Sequence, residues 1–175
     1  TVLSKGVNVK HDSGYAEAAL MIASRKKGVD VMRELVAQSA ELLPYGNVSP
    51  LIACMCNSQA VEIMKFLLEC DPALLERKTW DDRWTPLMVA IAGSGENKIE
   101  IVKFLLASGA NVHATADPVF PVVLNGINYP DNVSVLEIAQ IVDQEAKPGS
   151  PLISPMIKRA MGLTLASDEP EIKPG

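Results

Sequence analysis

WTPLMVAIAGSGENKIEIVKFLLASGANVH, the stretch from Trp84 to His113, decides the fold. It reads as two short helices back to back, each with its own punctuation. Thr85 is suited to accept the free amides of a first turn, and Pro86 stands where its missing N–H removes no hydrogen bond. Leu87, Val89, Ala90 and Ile91 make a short apolar segment that Gly93-Ser94-Gly95 stops. Ile99, Val102, Phe104, Leu105 and Leu106 then recur at helical spacing as far as Gly109, a residue fitted to the left-handed position after a helix. Helices this short cannot bury their apolar faces alone, so the stretch requires neighbours of its own kind.

The chain supplies them. Glu62-Ile63-Met64-Lys65-Phe66-Leu67-Leu68 matches Glu100-Ile101-Val102-Lys103-Phe104-Leu105-Leu106, and Ser49-Pro50-Leu51 precedes the first as Thr85-Pro86-Leu87 precedes the second. TPL with a following Ala, then EIVKFLL, then SGANV resembles the ankyrin repeat. The pattern is strongest in this copy, good in the copy from Ser49, and weaker towards both ends. The resemblance implies an all-α solenoid of about four helix-turn-helix repeats with divergent end caps and one long hairpin-like insertion. The repeat domain would span 1–162, with repeats near 13–43, 44–79, 80–116 and 129–162, an insertion at 117–131, and a flexible tail at 163–175.

Taken in order, Ala16, Ala19, Leu20, Ile22 and Ala23 form an apolar stripe, Lys26-Lys27-Gly28 turns the chain, and 29–36 parallels the second helix of the best repeat. This first copy lacks the Thr-Pro start, as end repeats often do. In the second, Ser49 and Pro50 open a helix whose Leu51, Ala53, Cys54 and Met55 face inward, and Asp71-Pro72 ends its partner helix. The third copy gains about three residues in 93–98, and this polar, glycine-containing segment is expected to project. Asn125-Gly126 between Val122-Val123-Leu124 and Ile127-Asn128-Tyr129 predicts a tight hairpin, a finger between repeats. The fourth copy enters a helix at Asn132-Val133-Ser134, breaks at 147–151, and closes with a helix for which Ser154-Pro155 is the expected cap and first position.

Composition narrows the function. Nearly half of the 175 residues are apolar and few are aromatic, and the net charge of −5 argues against general nucleic-acid binding, which needs clustered Lys and Arg. No apolar run approaches the ~20 residues of a membrane span, and no signal peptide is evident at the N-terminus. Cys54, Cys56 and Cys70 make no even framework and are read as reduced, largely buried thiols of an intracellular, cytoplasmic protein. His11 and His113, the two histidines, lie on separate elements, and Cys54-x-Cys56 is not a zinc-knuckle spacing, so no metal and no cofactor are expected. No nucleophile elbow, phosphate loop or His-Glu-x-x-His motif is present, and Asp81-Asp82 reads as a solvated turn, so no enzymatic activity is expected.

The resemblance implies binding to another protein through turn tips and the groove of the first helices. Candidate contacts at turn tips are Tyr15, Tyr45, Val48, Asp81, Asp82 and Trp84, with Trp84 expected at the surface and one of Trp80 and Trp84 packed beneath the turn. Variable inner-helix positions are Arg25 and Lys26, Cys56 and Asn57, then Ala92 and Gly93. Phe120, Asn125 and Tyr129 are the candidates on the finger. Arg25-Lys26-Lys27 is also explained by the favourable placing of cations at a helix C-terminus. The family's usual His after Thr-Pro-Leu is replaced by Met21, Ile52, Met88 and Glu137, so the polar tie between turns is expected to be absent and stacking to rest on apolar contact. A regulatory or targeting ankyrin domain of a larger enzyme, channel or microbial effector is the alternative reading.

Overall fold

Short apolar helices with strong caps stack here in two rows. The computed structural model describes residues 22–37, 49–79, 83–116 and 122–163. Residues 22–26 are helical and turn at Lys27 into α1 (Val29–Ala37). A single helical turn α2 (Pro50–Ala53) runs on as a 3-10 turn (Cys54–Cys56) and is followed by α3 (Ala60–Cys70) and a second 3-10 segment (Pro72–Glu76). Then come α4 (Pro86–Ala92), α5 (Lys98–Ala107), a hairpin of β1 (Val122–Leu124) and β2 (Ile127–Tyr129), α6 (Val135–Gln144) and α7 (Ser154–Ala160). The stacking follows the alternation. Inner helices α2, α4 and α6 pack in succession, outer helices α1, α3 and α5 likewise, and each inner helix packs on the outer helix that follows it.

Local chemistry places the helix ends. The Ser49 hydroxyl accepts from the Ile52 N–H and that of Thr85 from the Met88 N–H, both at 3.4 Å, with Pro50 and Pro86 as first helical residues. Ser134 and Glu137 close a reciprocal capping box on α6. Gly109, at φ +86°, ends α5 in a Schellman arrangement: Ala110 N–H donates to the Leu105 carbonyl and Gly109 N–H to that of Leu106. The entry to α7 differs from the sequence expectation. Ser154 lies inside the helix, and the cap comes from Asp143 of α6, whose two carboxylate oxygens each accept one N–H, from Ile153 and from Ser154, at 2.8 Å. A carboxylate at a helix N-terminus satisfies orphan amides and complements the dipole together.

The core runs unbroken from Met32 and Leu35 through Leu51, Ile63, Met64, Leu67, Leu87, Met88, Ile91 and Leu105 to Ile138 and Ile157, all buried. Ile52 and Met88, at two of the positions where the ankyrin pattern expects His, are both buried. Polar ties exist nonetheless, at a neighbouring position. The Asn57 side-chain amide donates to the carbonyls of Ser24 (3.0 Å) and Lys27 (2.8 Å), its oxygen accepts from the Gln59 N–H, and the Asn97 amide reaches the Asn57 carbonyl at 3.5 Å. Apolar stacking is therefore reinforced by a chain of amide contacts that runs along the row, at the turns that follow the inner helices. Between the segments that link successive pairs, the Asn111 N–H donates to Glu76, Lys78 to the Thr115 carbonyl, and the Ala116 N–H to the Val133 carbonyl.

Candidate functional site

Successive inner helices leave a groove of about 550 Å³ whose lining extends to Lys98 and Ile101 of the outer helix α5. Its floor and walls come from Ile52, Ala53 and Met55 of the second helix pair, Val89, Ala90 and Ile101 of the third, and Leu124 of the hairpin. Arg25, Cys56 and Lys98 contribute the polar groups with potential for charge, and the 93–95 segment forms a rim. Ser94 to Glu96 are exposed. On the far side of that rim lies a second hollow of about 400 Å³ between Ile99, Ile127, Val142, Asp143 and Ile153; Lys98 and Asn125 line both.

The hairpin closes the groove at one end, and its position follows from its turn. Asn125 (φ +52°) and Gly126 (φ +81°) both take left-handed conformations, the type I′ geometry that matches strand twist, with Leu124 paired to Ile127 and Val122 to Tyr129. The Asn125 amide then donates to the Ala92 carbonyl at 2.8 Å, at the end of α4. The finger packs in part on the repeats, as its apolar content leads one to expect, while Val123 stays exposed. Val122 and Tyr129 are buried, and the Tyr129 ring meets Trp84 edge-on at 5.0 Å between centroids and 85° between planes.

Several expected contact residues therefore change role. Trp84 is 2% exposed and Tyr129 4%, so neither is a surface anchor: each forms half of an aromatic pair that fixes the hairpin to the base of α4. The backbone of Trp84 is clasped as well, its N–H on the Thr79 hydroxyl (3.0 Å) and its carbonyl on the Thr79 N–H (2.9 Å). Asn57 is 8% exposed, its side chain consumed by the inter-repeat tie. Ala92 is buried too. Asn125 remains exposed and lines the groove, although its amide is committed to Ala92. Arg25 and Lys26 are exposed as expected, and Arg25 lines the groove. Tyr15, Tyr45, Val48, Asp81, Asp82 and Phe120 lie outside the described residues.

Ile52, Met55, Val89, Lys98 and Leu124 are among the lining residues that sequence reasoning passed over. Each is apolar or sits at a helix start, so each reads in the sequence as core or solvent-facing; only stacking shows a shared face. The cysteines divide. Cys54 is buried, its thiol 3.1 Å from the Leu51 carbonyl and pushed well up by burial, whereas Cys56 and Cys70 are exposed, contrary to the expectation of largely buried thiols. All three are free. Lys98, half-buried, has its ammonium held below the usual lysine range by burial, partly offset by the Asp143 carboxylate. Among the described residues no three His, Cys, Asp or Glu side chains gather as a metal-holding group, and no helix is long and apolar enough to cross a membrane.

Comparison with known families agrees with this architecture. A model of ankyrin repeats (three copies) matches residues 20–116. No curated protein matches the chain.

Proposed function

The chain belongs to the ankyrin-repeat family, and from that premise we propose that it is a protein–protein interaction module whose partner seats in the groove of the inner helices. Ankyrin repeats are generally protein-binding modules and typically non-enzymatic. The single observation that carries the reading is the groove itself: apolar lining from two successive inner helices and the hairpin, with Arg25 and Lys98 among its residues. Such a surface is preformed, so little ordering entropy opposes association. On this reading there are four repeats, near 13–43, 44–79, 80–116 and 129–162, and an insertion at 117–131 whose hairpin, Val122 to Tyr129, lines the groove at Leu124 and Asn125. Three free thiols suit a reducing compartment such as the cytoplasm. Whether the module acts alone or regulates a larger enzyme, channel or effector follows from what else the gene encodes.

The test is affinity capture from native cell extract with mass-spectrometric identification, using the intact protein, Val89→Arg in the groove and Leu68→Arg on the outer face. Each variant is first checked for unchanged helicity and melting. A partner lost with Val89→Arg and kept with Leu68→Arg supports the groove. The reverse pattern overturns it.

A further inference from the structure

Charge is unevenly spread over this molecule. The chain carries 21 Asp and Glu against 16 Lys and Arg, yet the residues lining the groove include two cations, Arg25 and Lys98, and no carboxylate. Lys98 is held against electrostatic preference. It is half-buried, and as the first residue of α5 it sits at the positive end of that helix dipole. Among the described residues it makes no ion pair, and the nearby Asp143, which offsets its burial only in part, has both carboxylate oxygens on the amides of Ile153 and Ser154. An anion brought alongside would relieve that cost. Apolar walls strengthen the attraction, because charges interact more strongly where water is partly excluded. The molecule's net charge is −5, so an acidic partner is favoured on a surface that presents cations without carboxylates.

Resting on the groove reading above, we propose that the occupant is an acidic peptide segment of a partner protein, with an apolar side chain seated between Met55 and Val89, one carboxylate held by Lys98 and another by Arg25. Arg25 presents a planar fork suited to a carboxylate, and Lys98 a point charge.

Panning a phage-displayed random-peptide library against the immobilised protein tests this, followed by titration of a labelled winning peptide. Melting curves first establish that Lys98→Gln, Lys98→Arg, Arg25→Gln and Met55→Asp are folded. The expected winners pair Asp or Glu with a neighbouring apolar residue. Their affinity falls about tenfold with Lys98→Gln and about threefold with the more exposed Arg25→Gln, survives in Lys98→Arg, and weakens with added salt. Met55→Asp abolishes it. Neutral or basic winners that are lost with Met55→Asp would overturn the acidic segment while leaving the groove as the binding face. Winners indifferent to Met55→Asp, or no enrichment over the bare support, would overturn both. A concentration-dependent dimer in sedimentation, abolished by Met55→Asp, would assign the groove to a second copy of this chain and overturn the proposal.

Discussion

At the scale of the residue, the aromatic pair shows how a contact far along the chain reassigns a side chain. Trp84 precedes a helix at a turn, where local pattern alone points outwards; Tyr129, at the end of the hairpin, folds back and buries it. Among the described residues the indole Nε1 and the Tyr129 hydroxyl are both buried without a hydrogen-bond partner, so this pair stabilises through ring contact and burial and not through its polar atoms. Trp84→Ala is therefore expected to lower unfolding free energy by ~3–5 kcal/mol, the range for deleting a buried aromatic. Tyr129→Phe, which removes an unpartnered hydroxyl, is expected to be neutral or mildly stabilising. Urea unfolding of both variants checks the contrast. The cysteines give a second test at this scale. Under native conditions a thiol reagent is expected to modify Cys56 and Cys70 quickly and Cys54 only on unfolding, since Cys54 is buried and its thiolate strongly disfavoured. Peptide mapping of the labelled protein distinguishes the three.

At the scale of the element, caps were legible because their chemistry is local. Ser49-Pro50, Thr85-Pro86, Gly109 and Asn125-Gly126 each announce a backbone conformation within a few residues, and each is found in place. The cap of α7 was not legible. Asp143 is distant from Ser154 in sequence and reaches it only because α6 and α7 fold against each other. The Ser134–Glu137 box on α6 carries a pH signature. Hydrogen bonds from the Ser134 hydroxyl and amide hold the Glu137 carboxyl below its ordinary value. A depressed folded-state pKa contributes stability above the unfolded value and loses it as pH falls through the folded one. Thermal melts are thus expected to show part of their acid-side decline, below the usual carboxylate range, removed in Glu137→Gln, with the neutral-pH melting point slightly lowered. An unchanged acid limb would show that the box does not couple to folding.

At the scale of the whole molecule, the repeat made the fold readable, while the groove was only half readable. Two rows of helices follow from matched EIVKFLL-type segments, because each pair must bury its face on the next. That Arg25, Met55, Val89 and Leu124 share one surface depends on how far each pair is rotated on its neighbour and on a hairpin folded down onto α4, and no single-residue pattern encodes either. The tie through Asn57 was likewise hidden: an Asn in a turn has an ordinary local explanation, and its two long-range acceptors on the preceding pair appear only after stacking. Stability and binding are linked here, since the amide chain along the inner row keeps the groove walls in register.

The most direct test of the central claim is hydrogen–deuterium exchange on the protein alone and with its captured partner bound. Partner-dependent protection is expected at 25–27, 52–56, 89–98 and 122–127, the segments that build the inner face. Protection confined to α3 and α5 around Leu68 and Phe104, with the inner segments unchanged, would contradict it and move recognition to the outer row.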